Sequence, residues 1–207
     1  MGRLHARRFK SIYTVGEAAA SVYLLESGLV KVFRRDDDRR EIVLNIIGSG
    51  ELFGEQCLLL EGPHRASAEV LRDAAIYSIP AEIFLKFCEG HPEMWILLAQ
   101  MLARRQASLQ NKIEALVLKD VEQRLISCLL DLAEICGRDH SSAEYSIPLS
   151  QEDVAKIIGA TRETTSNKLN GLARKNLIHL GRRRVILTSL DALRTAANQR
   201  ASHQTAG

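Results

Sequence analysis

Between residues 9 and 79, apolar and polar positions alternate in short runs such as "SVYLLESGLVKVF" and "REIVLNIIGSGELFG". Each run stops at a glycine or an acidic turn: Gly16, Gly28, Asp36 to Asp38, Gly48, Gly50, Gly54 and Gly62. Period-2 alternation with glycine punctuation predicts short antiparallel strands closing into a roll or barrel. At Pro92 the period changes. The stretch "PEMWILLAQMLARRQASLQNKIEALVL" has no glycine and no internal proline, and Ala99, Leu102, Gln106, Leu109, Ile113 and Leu116 recur at alternating steps of three and four. That seam predicts a long helix paired in parallel with the same helix of a second subunit. At 1.5 Å per residue it runs roughly 40 Å, too long for a small roll to cover alone.

After Asp120 a second helical pattern, "VEQRLISCLLDLAEIC", leads into the polar loop "GRDHSSAEYSIP". Two short helical patterns follow in "LSQEDVAKIIGATRETTSNKLNGLARKNLI", joined at "GAT". Ser150 with Asp153 caps the first, Gly159 supplies the turn, and Thr161 caps the second, whose buried face is only Thr165, Leu169 and Leu172. Two helices around a tight glycine turn are the helix-turn-helix plan. "IHLGRRRVIL" then reads as two strands around Gly181, a basic wing. With the second helix in a major groove, Arg162 suits the O6 and N7 acceptors of guanine and Glu163 the cytosine amino group. Ser166 and Asn167 follow one turn later. Thr161, Thr164 and the arginines Arg182, Arg183 and Arg184 are the expected phosphate contacts, which set register rather than sequence.

Charge agrees with that assignment. The chain carries +3, yet residues 150–207 hold ten basic against four acidic residues, +6, while residues 1–149 hold 18 against 21, −3. The positive field therefore belongs to the C-terminal part, where a polyanion binds. With 207 residues, 46% hydrophobic and 26% charged, the composition is that of a globular protein of about two domains. No run of 18 apolar residues occurs, and "MGRLHARRFK" has no apolar stretch behind its basic residues, so a cytoplasmic location away from membranes is expected. Cys57, Cys88, Cys128 and Cys136 lie 31, 40 and 8 residues apart, which suits reduced thiols better than a zinc ribbon or disulfide framework. No G-x-S-x-G, P-loop or H-E-x-x-H pattern is present and the six histidines are scattered, so the sequence does not read as an enzyme.

The region "LSQEDVAKIIGATRETTSNKLNGLARKNLI" resembles the recognition region of the Crp/Fnr superfamily, whose motif around the second helix is S/T-R-E-T-V. The resemblance runs upstream through "VYLLESGLVKVF", the "FGE" of residues 53–55 with Arg65 ten residues later, and the long helix ending in Lys119, Asp120 and Val121. It implies an α+β chain: an N-terminal β-roll (jelly-roll-like) effector domain over 1–91, a dimerisation helix over 92–119, and a C-terminal winged helix-turn-helix over 120–207. By position Arg162, Glu163 and Asn167 become base readers, with Ser150 and Gln151 at the start of the first helix beside them. Asn167 departs from the arginine common there. A homodimer on an inverted-repeat DNA site is implied, with RNA polymerase as a further partner.

In the family's cyclic-nucleotide binders the "FGE...R" segment is the phosphate cassette. Gly54 lets backbone approach the ligand, Glu55 accepts from a ribose 2′-hydroxyl, and Arg65 offers a two-pronged donor to the phosphate. The residue after the arginine is Ala66, with Ser67 next to it, and the adenine-reading pair of the long helix aligns with Leu109 and Gln110. Cyclic AMP is the expected effector and Gln110 the altered base reader; cyclic GMP, or haem through Cys57 or His64, are the alternatives. A DNA-binding chain that senses nothing would instead leave the cassette as a glycine turn with a Glu55–Arg65 pair.

Overall fold

The computed structural model describes residues 2–38, 40–137 and 144–204, with side chains described to residue 197. The chain divides into two compact units, Met1–Asn111 and Lys112–Gly207.

The first unit is built on β1 (Gly2–Ala6), β2 (Ser11–Tyr13), β3 (Ser21–Arg35), β4 (Glu41–Ile47), β5 (Leu52–Phe53) and β6 (Ser67–Pro80). All pairings are antiparallel, in the order β1-β6-β3-β4, with β2 added to β6 and β5 to β3. The long strands β3 and β6 lose register between Leu25 and Ser27, Ser27 and Leu29, and Leu29 and Val30. Each irregularity bends and twists the pair, which curls one sheet into a roll. Gly28 sits hard against β6: its φ is +106°, and a Cβ there would stand 2.6 Å from the Asp73 carbonyl and the Ala74 Cα. Leu25, Val30, Ile47, Phe53, Val70 and Ile76 fill the interior.

Helix α1 (Ala81–Gly90) follows β6 directly, and α2 (Glu93–Leu118) comes after the break at His91 and Pro92. Phe84 and Cys88 of α1 join Leu98 of α2, Val22 and Leu58 in a second cluster. Part of the seam expected on α2 turns inward. Leu102 packs with Met94 and Met101 against that second cluster and Leu109 is half-buried, while Ala99, Gln106, Ile113 and Leu116 are exposed. The exposed line instead runs Ile96, Ala99, Ala103, Gln106, Gln110, Ile113 and Val117, again in alternating steps of three and four. A leucine count cannot separate two apolar stripes on one helix, because both have the same period.

The second unit holds α3 (Val121–Cys136), β7 (Tyr145–Ile147), α4 (Gln151–Ile158), α5 (Arg162–Arg174), β8 (Ile178–Gly181), β9 (Arg184–Leu187) and α6 (Leu190–Gln204). Reciprocal capping boxes start α3 at Asp120 with Gln123 and α4 at Ser150 with Asp153. Gly159, at φ 66°, closes α4 in the left-handed conformation. The strands pair β7-β9-β8, and Leu125, Leu129, Leu132, Ile147, Leu169, Leu172 and Leu187 form the buried interior. The expected roll, long helix and winged helix-turn-helix are all present. Helices α1 and α6 and strand β7 were not legible in the pattern: α6 offers only two leucines in fifteen residues, and β7 is three residues long. Of the polar loop expected before β7, residues 138–143 lie outside the described residues.

Candidate functional sites

In the first unit a short 3-10 helix, Glu55–Leu58, begins at Gly54, whose φ is 74°. A Cβ on Gly54 would come within 2.9 Å of the Tyr23 ring and 3.3 Å of the Ser21 carbonyl, so glycine is what allows this turn to sit on β3. The turn presents Glu55 to α2. Its Oε2 lies 2.9 Å from Arg105 Nη1, with each side chain 13% exposed, and Arg105 Nη2 donates to the Leu52 carbonyl. Glu55 therefore pairs with Arg105 and not with Arg65. Sequence reasoning missed Arg105, and the period of α2 carried no signal for it, because the pair joins residues fifty positions apart.

Arg65 is exposed, and its guanidinium meets no ion-pair partner among the described residues. The backbone around it is firmly held. Gly16 N–H donates to the His64 carbonyl (2.9 Å), His64 N–H donates to the Glu17 carbonyl (2.8 Å), and Ala18 bridges Pro63. Val15 N–H donates to Ser67 Oγ at 3.0 Å. Ser67 Oγ accepts that bond and keeps its own O–H as a donor. Thr14 completes the turn by donating from N–H (3.0 Å) and Oγ1 (2.6 Å) to the Glu17 carboxylate. Between these ties lie the exposed Arg65 and the half-buried Ala66.

Beneath the segment the buried His64 ring stacks on Tyr13, centroids 3.8 Å apart and 7° from parallel. Tyr23 and Phe53 extend the aromatic layer. Burial lowers the His64 pKa, with Glu17 acting weakly the other way, and burial raises that of the Tyr13 phenol. Cys57 is half-buried in the second cluster, where burial pushes its thiol up. Both residues considered for haem are thus engaged in packing, and no group of three potential metal ligands converges among the described residues. On α2, Leu109 is half-buried and Gln110 exposed: successive residues 100° apart on a helix face different surroundings.

In the second unit Thr161 caps α5, its Oγ1 accepting from Thr164 N–H at 3.2 Å and donating to Thr164 Oγ1 at 2.8 Å. The buried Thr165 hydroxyl donates to the Thr161 carbonyl at 2.9 Å. Thr165, Leu169 and Leu172 face the core, which turns Glu163 and Asn167 outward and leaves Ser166 half-buried, while Arg162, in phase with the buried stripe, is exposed at the helix N-terminus. Ser150 Oγ is committed to its cap, donating to Asp153 Oδ2 at 2.6 Å, and Gln151 follows it half-buried. The wing turns at Arg182 and Arg183, both exposed, with Arg183 in the left-handed region at φ 59°. Ser150, Gln151, Arg162, Arg183 and Arg184, with the single carboxylate of Glu152, line one cleft of about 280 Å³. It gathers three guanidiniums beside a helix N-terminus, an arrangement suited to phosphate.

Comparison with known proteins agrees in both halves. Residues 3–91 match the model of the cyclic nucleotide-binding domain, and residues 123–196 match the Crp-like helix-turn-helix domain. A CRP-like cAMP-activated global transcriptional regulator of Mycobacterium tuberculosis is 30% identical over 187 residues, covering 90% of this chain and 84% of the relative. The cyclic AMP receptor protein of Thermus thermophilus is 31% identical over 172 residues, covering 83% and 77%. A crystal structure of a CRP-family transcriptional regulator, also from Thermus thermophilus, superposes with a TM-score of 0.79 at 30% identity, covering 96% of this chain and 97% of that one. No described helix is long and apolar enough to cross a membrane.

Proposed function

Because the chain belongs to the Crp/Fnr family of transcription regulators, with a cyclic nucleotide-binding domain and a Crp-like helix-turn-helix, we propose that it is a homodimeric, cytoplasmic regulator whose DNA affinity is raised by cyclic AMP. The observation that carries this reading is Arg65, an exposed guanidinium without an ion-pair partner among the described residues, on a backbone tied down at both ends. A desolvated phosphate needs such a fixed cation, and the rigid segment lowers the entropy of ordering it. Arg105 uses Oε2 of Glu55, which leaves Oε1 to accept from a ribose hydroxyl. Leu109 gives the purine apolar cover, and Gln110, whose amide both donates and accepts, reads the purine edge from either subunit.

The exposed line from Ile96 to Val117 supports a parallel pairing of two α2 helices. A ligand that touches both the roll and the paired helices has different contacts in each dimer arrangement, as any shift of state requires. The DNA site is an inverted repeat with half-sites one helical turn apart. Arg162, Glu163 and Asn167 read base edges; Thr161, Thr164, Arg182 and Arg183 set register. Ser150 and Gln151 meet the backbone beside them. Calorimetric titration of the protein with cyclic AMP and cyclic GMP, repeated on Arg65→Ala, tests the effector. Heat with cyclic AMP that is lost in the variant is expected, and no heat with either nucleotide at millimolar concentration overturns it.

A further inference from the structure

Glu122, in the first turn of α3, is only 7% exposed, a rare position for a carboxylate. Two lysines meet it: Lys168 Nζ is 3.1 Å from Oε2 and Lys175 Nζ is 3.5 Å from Oε1. Lys168 lies within α5 and Lys175 is its C-cap residue. Seven residues apart, they leave the helix on one flank, roughly 110° round the axis from the outward line of Glu163, Asn167 and Arg174. The core face of α5 is narrow, one threonine and two leucines. That stripe is fully buried, and the flank that carries Lys168 and Lys175 has no buried apolar residue of its own. A buried carboxylate that meets two lysines on this flank, two turns apart, adds the missing anchor from its side, with the lysine side chains themselves 39% and 55% exposed.

We propose that the Glu122–Lys168–Lys175 cluster is a positioning device that sets the rotation of the reading helix and withholds two lysines from the DNA backbone, making Glu122 specificity-determining without touching DNA. This rests on the DNA-binding reading above. Sequence-independent affinity comes from lysine and arginine contacts to phosphate. A lysine held by a buried carboxylate must break that pair before it serves phosphate, so Glu122 suppresses indiscriminate binding while it aims Arg162 and Glu163. Specificity gained by disfavouring the wrong complex is a general device.

The test uses the full chain, a duplex enriched by the wild-type protein from a library of inverted repeats, and a scrambled duplex of equal length, titrated across a salt series. The near-isosteric Glu122→Gln is expected to lower the ratio of selected to scrambled affinity by about tenfold or more, the scale of one misread base pair per half-site. Its scrambled-duplex salt slope should steepen by about 0.9 for each lysine released. Lys175→Gln, which leaves Lys168 on Glu122, should keep the wild-type slope. An unchanged ratio and slope in a folded Glu122→Gln overturn the proposal, as does a flatter slope in Lys175→Gln, which would place that lysine on phosphate already. A wild-type protein that enriches no sequence removes the DNA-reading premise and the proposal together.

Discussion

Replacing Arg105 by Met removes the cation from Glu55 and the donor from the Leu52 carbonyl while keeping most of the volume. Losing one partner of a fully buried ion pair costs about 3–5 kcal/mol, because the remaining charge is stranded. Here each side chain retains 13% exposure, so water relieves part of that cost and about 2–4 kcal/mol is expected. For a unit of this size 1 kcal/mol moves the midpoint by about 4–8 °C, so the loss is large in a thermal melt followed by circular dichroism. Glu55→Gln separates stranded charge from lost packing. In the double variant no charge is stranded, and the two costs should fall short of additivity by at least about 1 kcal/mol. A single variant costing under about 0.5 kcal/mol, or strict additivity, would show that the pair is a surface contact and that Glu55 is not fixed by α2.

Gly16 (φ +90°) has open space where a Cβ would go, whereas Gly28 (φ +106°) meets backbone at 2.6 Å, so Gly16→Ala should cost about 1 kcal/mol and Gly28→Ala at least about 3 kcal/mol in chemical denaturation. Equal costs would mean the close approach to Ala74 is absent. Burial holds the His64 pKa below its ordinary value of 6.5, so the unfolded chain takes up a proton there before the folded one does; stability present above that pH is lost as pH falls through it. His64→Phe keeps the stack on Tyr13 and should flatten this acid-side decline, and parallel pH profiles would remove His64 as its source. Arg183→Gly relieves a left-handed arginine and should raise stability by about 0.5–1 kcal/mol while weakening all DNA sequences alike, which a melt and a salt-dependent titration read separately. Arg162→Ala should instead cost about 1–3 kcal/mol per half-site and relax preference at one G·C pair, which binding-site selection reads directly.

Local rules wrote much of this protein into its sequence. Strand alternation, the capping pair Ser150–Asp153, the cap at Thr161 and the turn glycines Gly54 and Gly159 each act over a few residues, so roll, long helix and helix-turn-helix were legible without coordinates. The same holds for Glu163 and Asn167, which the helical period turns away from the three-residue core face; Arg162 is in phase with that face and is exposed as the first residue of the helix. What periodicity cannot encode is which of two stripes on α2 the folded chain covers: Leu102 packs inward and Leu109 is half-buried, while Leu116 stays exposed. Nor can it encode contacts between residues far apart in the chain. Glu55 finds Arg105 fifty residues on, and Glu122 finds Lys168 forty-six residues on, only once sheet curvature and helix packing bring them to 2.9 and 3.1 Å. Charge pairing has no sequence period: it is decided by the tertiary distance, since Coulomb attraction and desolvation both depend on where the folded chain places the two groups.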